Sequence, residues 1–490
     1  MLANRQLTNV NVLSILMVLL LIRLVAAAIL PFADTTEPRY AEIARLMAET
    51  NDWITPWFSE GTPFWGKPPL SFWSQAIFIK LFGSNELAIR FPSVLMSVLT
   101  IMVMGKYANH QQAVSGEKTA LYASVIYLSM ALPFISTAAV MTDTFLVLGT
   151  TLSILGFLYH LRTPDRFSPY YFYIGIAIGM LAKGPIAAIF CITPIIAALL
   201  VSPSARIHII HKLYWGRGIA LLMILVLPWY LLAEIKTPGF LNYFILGEHI
   251  YRFLDPGWQG DLYGSAHDRP RGTIWLYWIM ASFPWGILCL GMLFTKYGLK
   301  RKSHPLPKLT FEDWVIVFAI LTPLIFFTAA GNILWTYTLP SLPFTALLIA
   351  KQLQNKQTKW IPILALLVPL TTTVLTGLII VGNIQLNSQK SLVAEAVRHG
   401  ETNHSITYLN HIPFSGRFYT QGQATAVDLH SLLTQLHDRN DQLYLIVSNR
   451  ELGKIDQLDN VNIQYLMNNG KYSLLTISTQ PVDNSQISAR

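Results

Sequence analysis

Long apolar runs separated by short polar breaks dominate the first 384 residues. The windows 10–31, 88–108, 118–135, 140–160, 170–182, 184–201, 215–233, 273–295, 312–330, 333–350 and 360–382 each read as a membrane-crossing helix. That makes about eleven spans, each near the roughly 20 residues a bilayer requires. The pattern predicts a mainly α, polytopic membrane protein. The fifth window is short and reads as a broken or re-entrant helix. The run before Pro31 ends in Ala26, Ala27 and Ala28, as a signal peptide would, but it is long and holds Arg23. It reads as an uncleaved first helix, with Arg23 either snorkelling to the interface or facing the protein interior.

Two polar loops interrupt the runs, 34–87 and 234–272, and both contain amphipathic stretches. In Glu37–Met47 the residues Tyr40, Ile43, Ala44 and Met47 share one helical face, and Glu42, Arg45 and Glu49 another. Leu70–Phe82 is aromatic and apolar. Both are expected to be helices lying along the membrane surface. After about residue 385 the period changes. Ser405–Leu409, Arg417–Thr420, Leu443–Ser448, Val461–Leu466 and Tyr472–Ile477 read as strands, and Leu392–Arg398 and Val427–Leu436 as helices. The chain therefore divides into a membrane domain, 1–384, and a small α/β domain, 385–490.

Composition agrees with the membrane reading. Hydrophobic residues make up 53% of the 490 and charged ones 12%, too few to cover a water-facing surface. The net charge of +9 does not call for nucleic acid. Lys106, Lys118, Arg162, Arg166, Arg206, Lys212, Arg217, Lys296, Lys300, Arg301, Lys302, Lys308, Lys351, Lys356 and Lys359 fall in alternate loops. This asymmetry places the N-terminus in the cytoplasm, and both long loops and the tail outside. Cys191 and Cys289 sit in apolar runs and read as buried thiols, not as a disulfide or metal pair.

Five groups that carry chemistry fall on that outer face. They are Asp34 with Glu37 and Arg39; Lys67 in Trp65–Pro69; Asp143 at the mouth of the fourth span; Lys183 in Leu181–Pro185; and Glu248, His249 and Arg252, followed by His267. Carboxylates at a membrane boundary suit a general base, and lysine suits a phosphate. Acids beside phosphate-suited cations fit transfer from a lipid-linked phosphate donor. A transporter or flippase for lipid-linked sugars would use similar residues. Ionisable groups on one face weigh against it, because alternating access places its site near the midplane.

At Thr36–Met47 (TEPRYAEIARLM), Phe64–Trp73 (FWGKPPLSFW), Asp143, Leu181–Pro185 and Glu248–Phe253 the sequence resembles bacterial polyprenyl-phosphate-sugar-dependent glycosyltransferases. These are the aminoarabinose transferases and the related protein mannosyltransferase superfamily. The resemblance implies a C-type glycosyltransferase fold in the bacterial inner membrane, with its active site and tail on the periplasmic face. It implies an undecaprenyl-phosphate sugar donor, a lipid A or other glycolipid acceptor, and inversion at the sugar; a protein acceptor, as in O-mannosyltransferases, is the alternative. Carried over, Lys67 and Lys183 contact the donor phosphate with Arg39 and Arg252 as helpers. Glu37 and Asp143 line the acceptor and sugar site, and the base is Asp34, Glu37 or neither. The family has Asp-Glu before Arg-Tyr where Thr36-Glu37 stands here, and aminoarabinose transferases have Glu where Gly66 stands. Without that Glu no cofactor is expected to be required; His249, Glu248 and His267 are the residues that could hold a divalent metal or substrate.

Overall fold

The computed structural model describes residues 2–59, 61–110, 116–202, 213–255, 257–264, 267–295, 309–354, 360–399, 406–438, 443–458 and 461–479. Of the basic loop residues, Arg206, Lys212, Lys296, Lys300, Arg301, Lys302, Lys308, Lys356 and Lys359 lie outside them, as does Ser405. The chain forms two compact units. The first comprises Met1–Ile29 and Leu46–Leu375; the second comprises Leu30–Arg45 and Thr376–Arg490. The division differs from the expected one, because Leu30–Arg45 groups with the tail and not with the spans on either side of it.

The first unit is helical. In chain order it opens with α1 (Leu2–Ile29). A further helix, α2 (Thr36–Thr50), crosses the boundary between the units and is followed by a short hairpin, β1 (Trp57–Ser59) and β2 (Thr62–Pro63). Then come α3 (Leu70–Phe82), α4 (Glu86–Asn109), α5 (Gly116–Ser129), α6 (Ala131–Ser136), α7 (Asp143–Arg162), α8 (Ser168–Lys183), α9 (Ile186–Val201) and α10 (Trp215–Lys236). Among the described residues six helices are long and apolar enough to cross a membrane. They are Val12–Ile29 within α1, α4, α7, α10, Phe311–Thr328 and Ile361–Ile380. Ile235, Ile363 and Val374 remain exposed, as residues facing lipid would be.

The other apolar windows are helical but shorter or broken, and prolines mark most of the breaks. The 273–295 window bends by 112° between Thr273–Ala281 and Trp285–Leu293, around Pro284. The 333–350 window opens as a tight three-residue-per-turn helix, Trp335–Ser341, before Leu342–Leu353. The 118–135 window splits at Met130 into α5 and α6. Arg23 faces inward: it is buried and donates to the Ile135 carbonyl at 2.9 Å, with its guanidinium over the Phe134 ring. Cys191 and Cys289 are free and buried, as expected.

Glycines set the closest helix contact. Gly175 and Gly179 lie four apart on α8 and meet Gly149 and Ser153 on α7. A Cβ at Gly175 would sit 2.4 Å from the Ser153 nitrogen, and one at Gly149 would sit 2.7 Å from the Gly175 oxygen. Small residues at this spacing let two backbones touch, the usual device between membrane helices. A short link joins α7 to α8, so the two run antiparallel and the start of one lies beside the end of the other.

The second unit carries a five-stranded sheet in the order β4-β3-β5-β7-β6. The strands are β3 (Ile406–Leu409), β4 (Thr425–Val427), β5 (Leu443–Ser448), β6 (Val461–Asn468) and β7 (Tyr472–Thr479). β3 pairs parallel with β4 and β5, whereas β5, β7 and β6 run antiparallel. Alternation sorts the core: Leu445 and Val447 pack with Leu432 and Leu475, and Ile446 with Leu392 and Leu474. Four expected strands and both helices are present. Arg417–Thr420 is not a strand: it belongs to a helical turn, Phe414–Tyr419, opened by Pro413. Four residues with two adjacent aromatics are too few to fix a period, and Pro413 opens the turn.

The amphipathic loop helices form, with one difference. α3 exposes Ile77, Leu81 and Phe82, as a surface-lying helix would. α2 does not offer a polar face: Glu42 and Arg45 are buried as well as Ile43, Ala44 and Met47, and they pair with each other at 2.8 Å.

Candidate active site

The site in the first unit is built around Lys67. The chain reaches it from the hairpin, where the Tyr263 hydroxyl accepts from the Trp65 backbone N–H at 3.0 Å and donates to the Pro63 carbonyl at 2.8 Å. The Trp65 indole donates to Thr237 at 3.1 Å. A Cβ at Gly66 would meet the Phe64 ring at 2.9 Å, so a side chain there would require that ring to shift. Pro68 and Pro69 stiffen the exit into α3. Lys67 is thus held from both sides, and its ammonium reaches Glu248 at 3.1 Å.

Glu248 lies on a widened helical segment, Asn242–Tyr251, that continues through Arg252. Arg252 bonds Glu248 at 3.1 Å and Asp261 at 3.3 Å, and the Tyr243 hydroxyl donates to Glu248 at 3.2 Å. All four charged side chains are at least four-fifths buried, between 6 and 20% exposed. Burial alone would push the Glu248 carboxyl up. The charges of Lys67 and Arg252, with the Lys67 hydrogen bond, outweigh it and hold Glu248 below the usual carboxylate range.

A second pair stands where α7 begins and α8 ends. Asp143 opens α7, Lys183 closes α8, and the two form an ion pair. The glycine contact described above brings these helix ends together. Gly184 turns the chain after Lys183 with φ +87, and its missing side chain lets the Phe244 and His249 rings approach. His249 contacts the Lys183 carbonyl at 3.2 Å and the Phe244 carbonyl at 2.7 Å. Burial pushes the His249 imidazole down, so it is neutral near pH 7. Tyr337 joins the two pairs: the Lys183 ammonium lies 5.2 Å from its ring centre, and Arg252, Lys67, Asp143 and Glu248 are within electrostatic reach.

Lys67, Lys183, Arg252, Asp143, Glu248 and His249 are therefore gathered within the first unit. Glu37 and Arg39 lie in the second unit, in the first turn of α2, both half-buried. Asp34 is also in the second unit, and both of its carboxylate oxygens are engaged by Ser415. Burial pushes the Asp34 carboxyl up, and the Ser415 hydrogen bonds offset that only in part. His267 is set by its backbone, bonding Asn332 and Ile333. Both Glu248 oxygens and both His249 nitrogens face protein partners, and among the described residues no three His, Cys, Asp or Glu side chains converge. The residues that sequence reasoning missed are Tyr243, Asp261, Tyr263 and Tyr337. None has a motif spacing to mark it; the Gly175–Gly179 repeat was the one legible sign that α7 and α8 meet.

Residues 9–244 match the dolichyl-phosphate-mannose-protein mannosyltransferase family. That stretch is 236 of the chain's 490 residues and holds Lys67, Asp143 and Lys183. Among its curated relatives is the undecaprenyl phosphate-alpha-4-amino-4-deoxy-L-arabinose arabinosyl transferase of Yersinia pestis. It is 31% identical over 324 residues, 64% of this chain and 54% of that protein. The Aeromonas hydrophila enzyme of the same name is 29% identical, over 65% of this chain and 56% of that one. The chain thus spans about half the length of the curated relatives it matches. The likeness of fold extends further. The crystal structure of ArnT from Cupriavidus metallidurans bound to undecaprenyl phosphate superposes with a TM-score of 0.75. It covers 95% of this chain and 97% of that one at 16% identity.

Proposed function

We propose that the chain is an inverting membrane glycosyltransferase. It moves one sugar from an undecaprenyl-phosphate donor to lipid A or another glycolipid. The observation that carries this reading is the gathering of Lys67, Arg252 and Lys183, each with a carboxylate counter-ion, in two linked pairs on one unit. Largely buried cations of this kind suit an anion that arrives and leaves. An acceptor oxygen attacks the anomeric carbon. The bond from that carbon to the phosphate oxygen breaks, and its electron pair leaves with undecaprenyl phosphate. Lys67 and Arg252 bind the donor phosphate and stabilise the charge that builds on it, with Lys183 as the second cation. Asp143 holds Lys183 and borders the sugar. Glu37 keeps an acceptor-side role and Arg39 a helper's role at the donor phosphate on the strength of their motif. A phosphate acceptor is already ionised and needs no strong base.

The relatives' names make 4-amino-4-deoxy-L-arabinose the first sugar to test. The reaction proceeds at the periplasmic face of the inner membrane, with the tail on the same side and no metal required. Protein mannosyl transfer is a second reading, favoured by the family match over 9–244. The test compares lipid A, glycolipids and glycoproteins of a deletion strain with its parent by mass spectrometry. Loss of one sugar mass from a lipid supports the proposal. Loss from protein favours the second reading. Accumulation of the lipid-linked sugar with no acceptor changed on repair of transport alone would make the chain a flippase.

A further inference from the structure

The segment Leu30–Arg45 is folded as part of the C-terminal α/β unit, and its contacts there are specific. The Phe32 N–H donates to the Tyr419 hydroxyl at 2.8 Å, and the Phe32 ring meets Phe418 edge-on at 4.9 Å. The Asp34 N–H donates to the Asn387 carbonyl at 2.8 Å. The Asp34 carboxylate accepts from the Ser415 backbone N–H at 2.8 Å and from its hydroxyl at 2.5 Å. Ser415 is fully buried, and its hydroxyl oxygen also accepts from the Gln389 N–H at 3.1 Å. Further along, the Arg45 guanidinium of the buried Glu42–Arg45 pair packs on Gly422, where a Cβ would come within 2.5 Å of it.

We propose that Asp34 and Ser415 form a clasp by which the C-terminal domain positions the TEPRY helix for transfer. The inference rests on the glycosyltransferase reading, because Glu37 and Arg39 matter only if α2 serves a reaction. Asp34 is then a positioning residue and not a base. Its carboxylate caps the Phe414–Tyr419 turn, satisfying an N–H that the turn cannot bond internally. α2 starts two residues later, at Thr36, so the clasp fixes the entry of its first turn, where Glu37 and Arg39 stand. A carboxylate committed to two donors on the tail has no proton-accepting role to spare for an acceptor hydroxyl.

The test uses the full chain in detergent or nanodiscs, with Asp34→Ala, Asp34→Asn and Ser415→Ala. Hydrogen exchange of residues 30–45 is read beside transfer from an undecaprenyl-phosphate sugar. Asparagine keeps an acceptor for the Ser415 N–H and an amide for its hydroxyl. Asp34→Asn is therefore expected to keep protection and a rate within about threefold of wild type. Asp34→Ala and Ser415→Ala are expected to raise exchange across 30–45 and lower kcat by about tenfold, with KM for the donor little changed. An Asp34→Asn protein as inactive as Asp34→Ala, with exchange unaltered, would overturn the clasp and restore Asp34 as the base. Unaltered exchange in Ser415→Ala would also overturn it. If the wild type transfers no sugar, the functional reading fails while the exchange arm still decides the contact.

Discussion

At the scale of single residues, the site is a balance of paired charges. Lys67 and Arg252 share Glu248, so the proposed donor phosphate would compete with a carboxylate already in place. Lys67→Ala removes the charge proposed to meet the leaving phosphate. Transfer is expected to fall at least about 100-fold while the protein still accumulates in the membrane; wild-type transfer in a reconstituted assay would exclude the phosphate role. Glu248→Gln tests the other half. An acid whose folded value is lowered stabilises the fold above its unfolded value, 4.5, and loses that contribution as pH falls through the folded value. Thermal melts of wild type and Glu248→Gln should therefore differ by roughly 3 kcal/mol at neutral pH. The gap should close in acid. A gap that persists there would come from lost packing and not from charge. Each of these residues was legible in the sequence as a chemical type. Their pairing was not: Lys67 and Glu248 stand 181 positions apart, and Asp34 finds Ser415 381 positions away. Such partners are set by the fold and leave no local spacing to read.

At the scale of elements, hydropathy was a good guide to where helices lie and a poor one to their continuity. The windows at 118–135, 273–295 and 333–350 each contain a break that an apolar run does not reveal. Proline restricts the backbone without changing hydropathy, so its effect depends on the neighbours that accept the bend. α2 shows the same limit for charge. Glu42 and Arg45 have the spacing of a solvated face, yet they are buried because each neutralises the other. The packing of α7 on α8 turns a sequence pattern into site geometry. Gly175→Leu would drive a side chain into the α7 backbone, separating the helices and with them Asp143 from Lys183. Overpacking of this kind costs about 1–3 kcal/mol. Transfer should fall with the melting temperature, and more steeply than in a lipid-facing control such as Ile363→Ala. Equal loss in both would show that the α7–α8 contact does not set the site.

At the scale of the whole molecule, sidedness is what joins sequence charge to function. The loops carrying Lys106, Arg162 and Arg166 are basic, and positive loops stay in the cytoplasm. Counting the eleven apolar windows from there gives the expectation that the tail and both long loops lie in the periplasm, where an acceptor on the outer leaflet would be met. The chain provides its own means of checking this. Both native thiols are buried, Cys191 at 0% and Cys289 at 5% exposure, so background labelling should be small. Single cysteines placed at the exposed positions Lys454 and Arg166 then report each face. In intact cells with a permeable outer membrane, an impermeant maleimide should label Lys454→Cys and leave Arg166→Cys untouched until the inner membrane is opened. The reverse pattern would invert the topology and put every proposed donor contact on the wrong side. Labelling of both in intact cells would mean that the span count between residues 166 and 454 is even where the charge pattern requires an odd one, or that the membrane has leaked. A cytoplasmic cysteine in an unrelated protein separates those two cases.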